Sequence, residues 1–234
     1  MASINTTKEI DLTHQNVYDA FNYLMFSDNI KLLSKLLYKV KFLEWTRDVP
    51  GDILELGVFK GSGLLAWLKM KKIFSPNAFK KVIGFDMFDS NNLINSLSGH
   101  DKISMSNLFS DRQWIQSQDS YEDLKKKVYN AGFSDVDFEL VKGDVSITTA
   151  NYINNRPGAK ISILYMDLDL EIPTYNSLCN LYDIVSTNGV IVFDEYGYHQ
   201  WSESKGVDRF LNERKLKLQA LECSAPTAFI RKHD

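Results

Sequence analysis

The sequence predicts an α/β protein: a mostly parallel seven-stranded sheet with helices on both faces. Three observations carry that expectation. Short runs rich in Ile, Val, Leu and Phe alternate with stretches of helical periodicity, the pattern of βαβ units. The last two runs are joined by a short turn at Pro226 and must therefore be antiparallel to each other, which places one antiparallel strand in the sheet. At 234 residues, 44% hydrophobic and 24% charged, the chain is long enough to bury a substantial core.

Element by element, residues 14–47 come first. Phe21, Leu24, Met25, Leu32, Leu33, Leu36, Leu37 and Val40 recur at helical spacing and predict one or two extra N-terminal helices. Residues 1–48 are expected to form a helical segment that serves as a lid or pairs subunits, with the sheet domain at 49–234. Pro50-Gly51 breaks the helical pattern. The segment 53-ILELGV-58 reads as a buried strand, 64-LLAWLKMKKIF-74 as a helix and 81-KVIGFDMF-88 as a second strand. Residues 89–118 are polar and irregular, and so long a stretch inside a compact domain predicts a lid or binding loop. A helix over 120–131 stops at Gly132. Strand 137–144 leads to a short helix at 147–154, and strand 161–167 to a helix with Pro173 in its first turn. A strand over 189–196, a helix over 204–214 and two strands at 216–222 and 227–232 complete the chain.

Composition narrows the function. A net charge of −3 disfavours a nucleic-acid partner, and the lysine clusters at 69–72, 80–81 and 125–127 read as solvated helix faces. Cys179 and Cys223 lie far apart in apolar surroundings without metal-ligand spacing, so they read as buried free thiols in a reducing compartment. There is no apolar run long enough for a membrane span and no signal pattern at the N-terminus, so no membrane partner and a cytoplasmic location are expected.

The chemistry gathers at the strand ends. Each of the five expected parallel strands ends in a carboxylate: Glu55, Asp86, Asp144, Asp167 with Asp169, and Asp194 with Glu195. In such sheets ligands bind beyond the carboxyl ends of the strands. Clustered carboxylates repel one another, so a positive group or a demand for a base is expected among them. The first strand runs into 55-ELGVFKGSG-63, whose glycines permit tight turning and close approach of a ligand. It is neither a dinucleotide fingerprint nor a P-loop. Asp86 is placed to accept from both hydroxyls of a ribose, and Asp144 from an adenine amino group. Each acid taken alone could equally cap the following helix.

These residues resemble the class I S-adenosylmethionine-dependent methyltransferases, which implies a Rossmann-like fold. The resemblance implies that Glu55, Gly57, Gly61, Ser62 and Gly63 line the methionine end of the cofactor, with Val58 and Phe59 beside them. It places Asp86, Met87 and Phe88 at the ribose, Asp144 and Val145 at the adenine, and Asp167 at the edge of the cofactor site. Further on, 165-YMDLDLEIPTYNSL-178 and 190-VIVFDEYG-197 resemble the macrocin O-methyltransferase (TylF-like) family, which methylates sugar hydroxyls of antibiotics and related glycosides. That resemblance spans roughly residues 50–212. It implies a magnesium ion held by Asp167, Asp194 and Glu195 and a small sugar or glycoside as substrate, and the retained D-x-D puts Asp169 forward as general base. His199, four or five residues past the acid pair, is the other candidate base on the ordinary pKa of an imidazole. Glu195 stands where the family has a second Asp, and Leu168, Ile172 and Pro173 also depart from its pattern. Oxygen-only anionic ligands suit Mg2+ rather than Zn2+. Two rival readings share the fold: a metal-dependent methyltransferase of catechols or other small vicinal diols, and a non-catalytic S-adenosylmethionine-binding module. Tyr196, Tyr198 and Trp201 can stack on a sugar or complete the core edge.

Overall fold

A computed structural model of the chain describes residues 13–111 and 120–233. Helices α1 (His14–Phe26) and α2 (Ile30–Trp45) precede β1 (Asp52–Leu56). Then come α3 (Ser62–Phe74), β2 (Val82–Asp86), α4 (Ser90–Ser96), α5 (Gly99–Asp111), α6 (Ser120–Asn130), β3 (Phe138–Lys142) and α7 (Val145–Asn154). The chain closes with β4 (Ile161–Met166), α8 (Glu171–Leu181), a 3-10 turn, β5 (Val185–Phe193), α9 (Glu203–Arg214), β6 (Gln219–Ala220) and β7 (Ala228–Arg231).

The sheet runs β3-β2-β1-β4-β5-β7-β6. β1 to β5 are parallel, and β7 pairs antiparallel with both β5 and β6. Strand order reverses between β1 and β4, which opens a crevice at their carboxyl ends. Both sheet faces are buried, so the strands read as apolar runs whose side chains sort alternately to the two sides. Ile53, Tyr165, Val190 and Val192 pack with Phe42, Trp67 and Val128 under α2, α3 and α6. Leu54, Leu164, Met166, Ile191 and Phe193 pack with Leu178, Leu181, Val207 and Phe210 under α8 and α9. Among the described residues no helix is long and apolar enough to cross a membrane.

Several expectations need correction. Residues 90–111 are not an irregular loop but two helices, and the rest of the expected loop, to residue 118, lies outside the described residues. The Asp89 carboxylate caps α4 by accepting from the amides of Asn91 and Asn92, each at 3.0 Å. Met105 and Phe109, one turn apart on α5, bury against Leu170 with Phe59, Leu93 and Trp201 around them. Few side chains of either helix are buried, so the polar composition hid the helices. The strand expected at 216–222 shrinks to Gln219–Ala220, and β5 stops at Phe193, leaving Asp194 and Glu195 just beyond it. Cys179 and Cys223 are free but only half-buried.

Candidate functional site

The loops after β1, β2, β3, β4 and β5 are laced together at one edge of the sheet. Gly57 N–H donates to Phe85 O, Asp167 N–H to Leu56 O, Gly143 N–H to Asp86 O and Asp194 N–H to Met166 O, all at 2.9–3.0 Å. The five expected carboxylate positions therefore share one rim. Glycine is required at two places in the first loop. At Gly57 (φ +91°) a Cβ would lie 1.9 Å from the carbonyl oxygen of Asp167, so the first and fourth loops touch only without a side chain there. At Gly63 a Cβ would lie 2.3 Å from Glu55 Oε1, so the open start of α3 makes room for that carboxylate.

Glu55 is buried and accepts from Lys39 Nζ at 3.0 Å. Lys39 in turn lies between the rings of Trp67 and Tyr165, 4.1 and 3.9 Å from their centroids. Burial pushes the Glu55 carboxyl up and the Lys39 ammonium down, and their mutual attraction opposes both shifts.

Asp86 binds the backbone of two loops. Its Oδ2 accepts from Phe59 N–H at 2.7 Å and its Oδ1 from Phe88 N–H at 2.8 Å. Phe59 and Phe88 both adopt left-handed conformations, with φ of 49° and 51°, which the shared carboxylate holds in place. Burial raises the Asp86 carboxyl, and the amides beside it pull the other way. Met87, between Asp86 and Phe88 in the sequence, is half-buried, and Val58 is buried in the core beneath the glycine loop. Asp144 caps α7 through Ser146 N–H at 2.8 Å, and Val145 beside it is buried.

The acids after β4 and β5 carry the strongest electrostatic stress. Asp194 has no exposed surface and accepts from the hydroxyl of Tyr165. Lys35 Nζ on α2 stands 2.6 Å from Asp194 Oδ2 and 3.1 Å from Asp167 Oδ2, and Lys31 Nζ pairs with Glu195. Burial and the neighbouring Asp167 push Asp194 up to about 7, against the pull of Lys35. Burial works against the Lys35 charge, but Asp167 and Asp194 outweigh it and hold the ammonium above its ordinary value.

Asp169 lies beyond the strand. β4 has already ended, and Asp169 takes φ +63°, so a strand's alternation no longer decides where its side chain points. Its Oδ1 is buried without a hydrogen-bond partner among the described residues. Burial raises its carboxyl well above the ordinary value, with Asp167, Glu195 and Glu203 adding to the effect. Glu203, fully buried at the start of α9, has an unpartnered Oε1 as well. His199 sits exposed in the turn after β5. Tyr196 donates to Asp208 at 2.7 Å and Tyr198 to Ser224 O at 2.8 Å, while Trp201 packs against the α5 cluster.

Sequence reasoning missed Lys31, Lys35, Lys39 and Glu203. The lysines did leave a signal, 31-KLLSKLLYK-39, with a cation at every fourth position of an otherwise apolar helix. Among the described residues no three His, Cys, Asp or Glu side chains converge on one point. Asp167 and Asp194 nonetheless approach closely enough for one ammonium to bridge them, and their chemistry, oxygen-only and anionic, suits a hard divalent cation. The fit to a metal therefore rests on that pair, with Glu195 beside it on Lys31.

A doubly wound sheet with this strand order, a glycine loop after β1 and an acid ending β2 defines a class I methyltransferase fold. Solved structures share it. CalS11, a calicheamicin methyltransferase, superposes with a TM-score of 0.69 over 100% of both chains at 20% identity. The O-methyltransferase NovP gives 0.68 over 88% of this chain and 81% of its own, also at 20% identity. The S-adenosylhomocysteine-bound methyltransferase PaMTH1 of Podospora anserina gives 0.54 over 100% of both chains at 12% identity. No curated protein is matched by the sequence. The macrocin-O-methyltransferase (TylF) family model matches residues 24–232, nearly the whole chain, and the protein belongs to that family. It is an O-methyltransferase.

Proposed function

We propose that the protein transfers a methyl group from S-adenosylmethionine to a hydroxyl of a sugar, carried by a glycoside or a nucleotide. The observation that carries this reading is the continuous rim of loops after β1 to β5 in a chain that the family model spans. Relatives in fold point the same way: CalS11 is described as a TDP-rhamnose 3'-O-methyltransferase. In this reading the glycine loop, Gly57 to Gly63, faces the methionine end of the cofactor, Asp86 the ribose, and Asp144 with Val145 the adenine. The α4–α5 pair, packed on Phe59 and Trp201, covers the acceptor side.

The transfer is a direct displacement. The acceptor oxygen forms a bond to the methyl carbon as the carbon–sulfur bond breaks, giving a methyl ether and S-adenosylhomocysteine. The hydroxyl proton passes to Asp169, which keeps an unclaimed carboxylate oxygen at the rim. His199, exposed on the following turn, is the second candidate base. Most of the work left to the protein is alignment and exclusion of water. Asp167 and Asp194, with Glu195, are the residues that would hold Mg2+. When bound, such an ion lowers the pKa of a ligated hydroxyl and orients vicinal oxygens.

The test is product analysis. Purified protein is incubated with S-adenosylmethionine and two acceptor panels, nucleotide sugars with glycosides in one and catechols in the other. Mass spectrometry reads the methylated acceptor and S-adenosylhomocysteine. Methylation confined to the sugar panel is expected. Turnover confined to catechols would transfer the assignment to the vicinal-diol enzymes. Cofactor binding with no methylated product from any acceptor would favour a binding module.

A further inference from the structure

Helix α2 lies across the rim in register with the acids. Lys39 meets Glu55 after β1, Lys35 meets Asp167 after β4 and Asp194 after β5, and Lys31 meets Glu195 after β5. The matching has a simple geometric origin. Residues four apart on a helix share a face and are separated by about 6 Å along its axis, close to the roughly 4.8 Å between neighbouring strands. A lysine at every fourth position of a helix crossing strand ends therefore meets the strands nearly one by one. β1, β4 and β5 are consecutive neighbours in the sheet.

Two of these lysines thus hold all three carboxylates that would ligate a metal. Lys35 Nζ occupies the space between Asp167 and Asp194, within 3.1 and 2.6 Å of their oxygens. A divalent ion held by this pair would draw on the same carboxylate oxygens that the ammonium already pairs with. The two cations compete for those oxygens. Withdrawal is easiest for Lys35 and Lys31, whose side chains retain exposed surface and long flexible stems. Lys39 is locked beneath them by Glu55 and two aromatic rings and keeps α2 seated.

We infer that Lys35, with Lys31 beside it, is a built-in counter-cation that competes with a divalent metal for the carboxylate pair and sets the protein's metal affinity. The inference rests on the assignment of Asp167 and Asp194 as metal ligands. It deepens that reading by identifying what holds the site when the metal is away.

Isothermal titration of Mg2+ into the full chain tests it, with no acceptor present. Lys35→Met keeps the stem and removes the charge, and it should tighten Mg2+ binding by about tenfold or more, given the strength of a unit charge at this range. Lys35→Arg retains the charge and should bind Mg2+ as weakly as the wild type. Equal Mg2+ affinity in all three proteins would overturn the inference. Should Lys35→Met fail to fold, Lys31→Met gives the same comparison at the Glu195 side, and Lys31→Arg its control. Titration with S-adenosylmethionine separates the two levels. If that cofactor binds but metal affinity ignores both lysines, the competition is wrong and the methyltransferase assignment stands.

Discussion

At the scale of single residues, the acids divide by what already claims them. Asp144 serves as a helix cap and Asp86 as a clasp between two strained loops, so both positions are structurally fixed before a ligand arrives. Asp86→Ala removes the clasp as well as any ribose contact. Cofactor affinity should fall by about 1–3 kcal/mol, the range of a buried hydrogen bond lost with its partner left unpaired. Calorimetry checks it, and an unchanged dissociation constant would remove Asp86 from the cofactor site. Asp194 differs, because its carboxylate is fully buried between Tyr165 and Lys35. Asp194→Asn keeps the shape and removes the charge. Turnover should fall by about a hundredfold or more, since charge placed at the reacting centre acts strongly in a dry site. S-adenosylmethionine affinity should stay near wild type, because the loops proposed for the cofactor follow β1, β2 and β3. Near-normal turnover in this variant would displace Asp194 from the reaction.

At the scale of elements, α2 is fastened by charge at a place where apolar contact is expected. Its buried residues are Lys39, Phe42 and Leu43. Breaking one partner of a buried ion pair leaves the other charge uncompensated, typically at a penalty of about 3–5 kcal/mol. Lys39→Met alone and Glu55→Gln alone should each lower the unfolding free energy by that much, read from a denaturant titration. The double variant should recover much of the loss, because neither charge is then stranded. Additive losses in the double variant would show that the pair is not the anchor. The same helix shows why sequence reasoning stopped short. Lysines spaced by four read locally as a solvated stripe, and their partners lie up to 164 residues away. The α4–α5 pair was hidden for a related reason: among the described residues Met105 and Phe109 are its only buried large apolar side chains, so composition outweighed periodicity.

At the scale of the whole molecule, the sheet was the legible part. Strands buried on both faces announce themselves as apolar runs, and the short turn at Pro226 forces the antiparallel pair. The strand-end acids were legible as well, because a carboxylate after an apolar run is conspicuous. The left-handed turn at Asp169 was not, since nothing in 166-MDLDL-170 marks where β4 lets go. Nor was Glu203, which reaches the rim from a helix more than thirty residues further on. What sequence shows well is therefore the frame, and what it shows poorly is which distant cation or acid meets the frame's edge.

The position of β7 bears on how the protein is made. It follows every other strand in chain order, yet it lies inside the sheet, between β5 and the two-residue β6. Until Ala228–Arg231 emerge from the ribosome, Val190 to Phe193 present a bare, apolar ladder edge able to pair with a foreign strand. Vectorial synthesis thus leaves this side of β5 unguarded while α9 and β6 are made, and completion of the nascent sheet waits on β7.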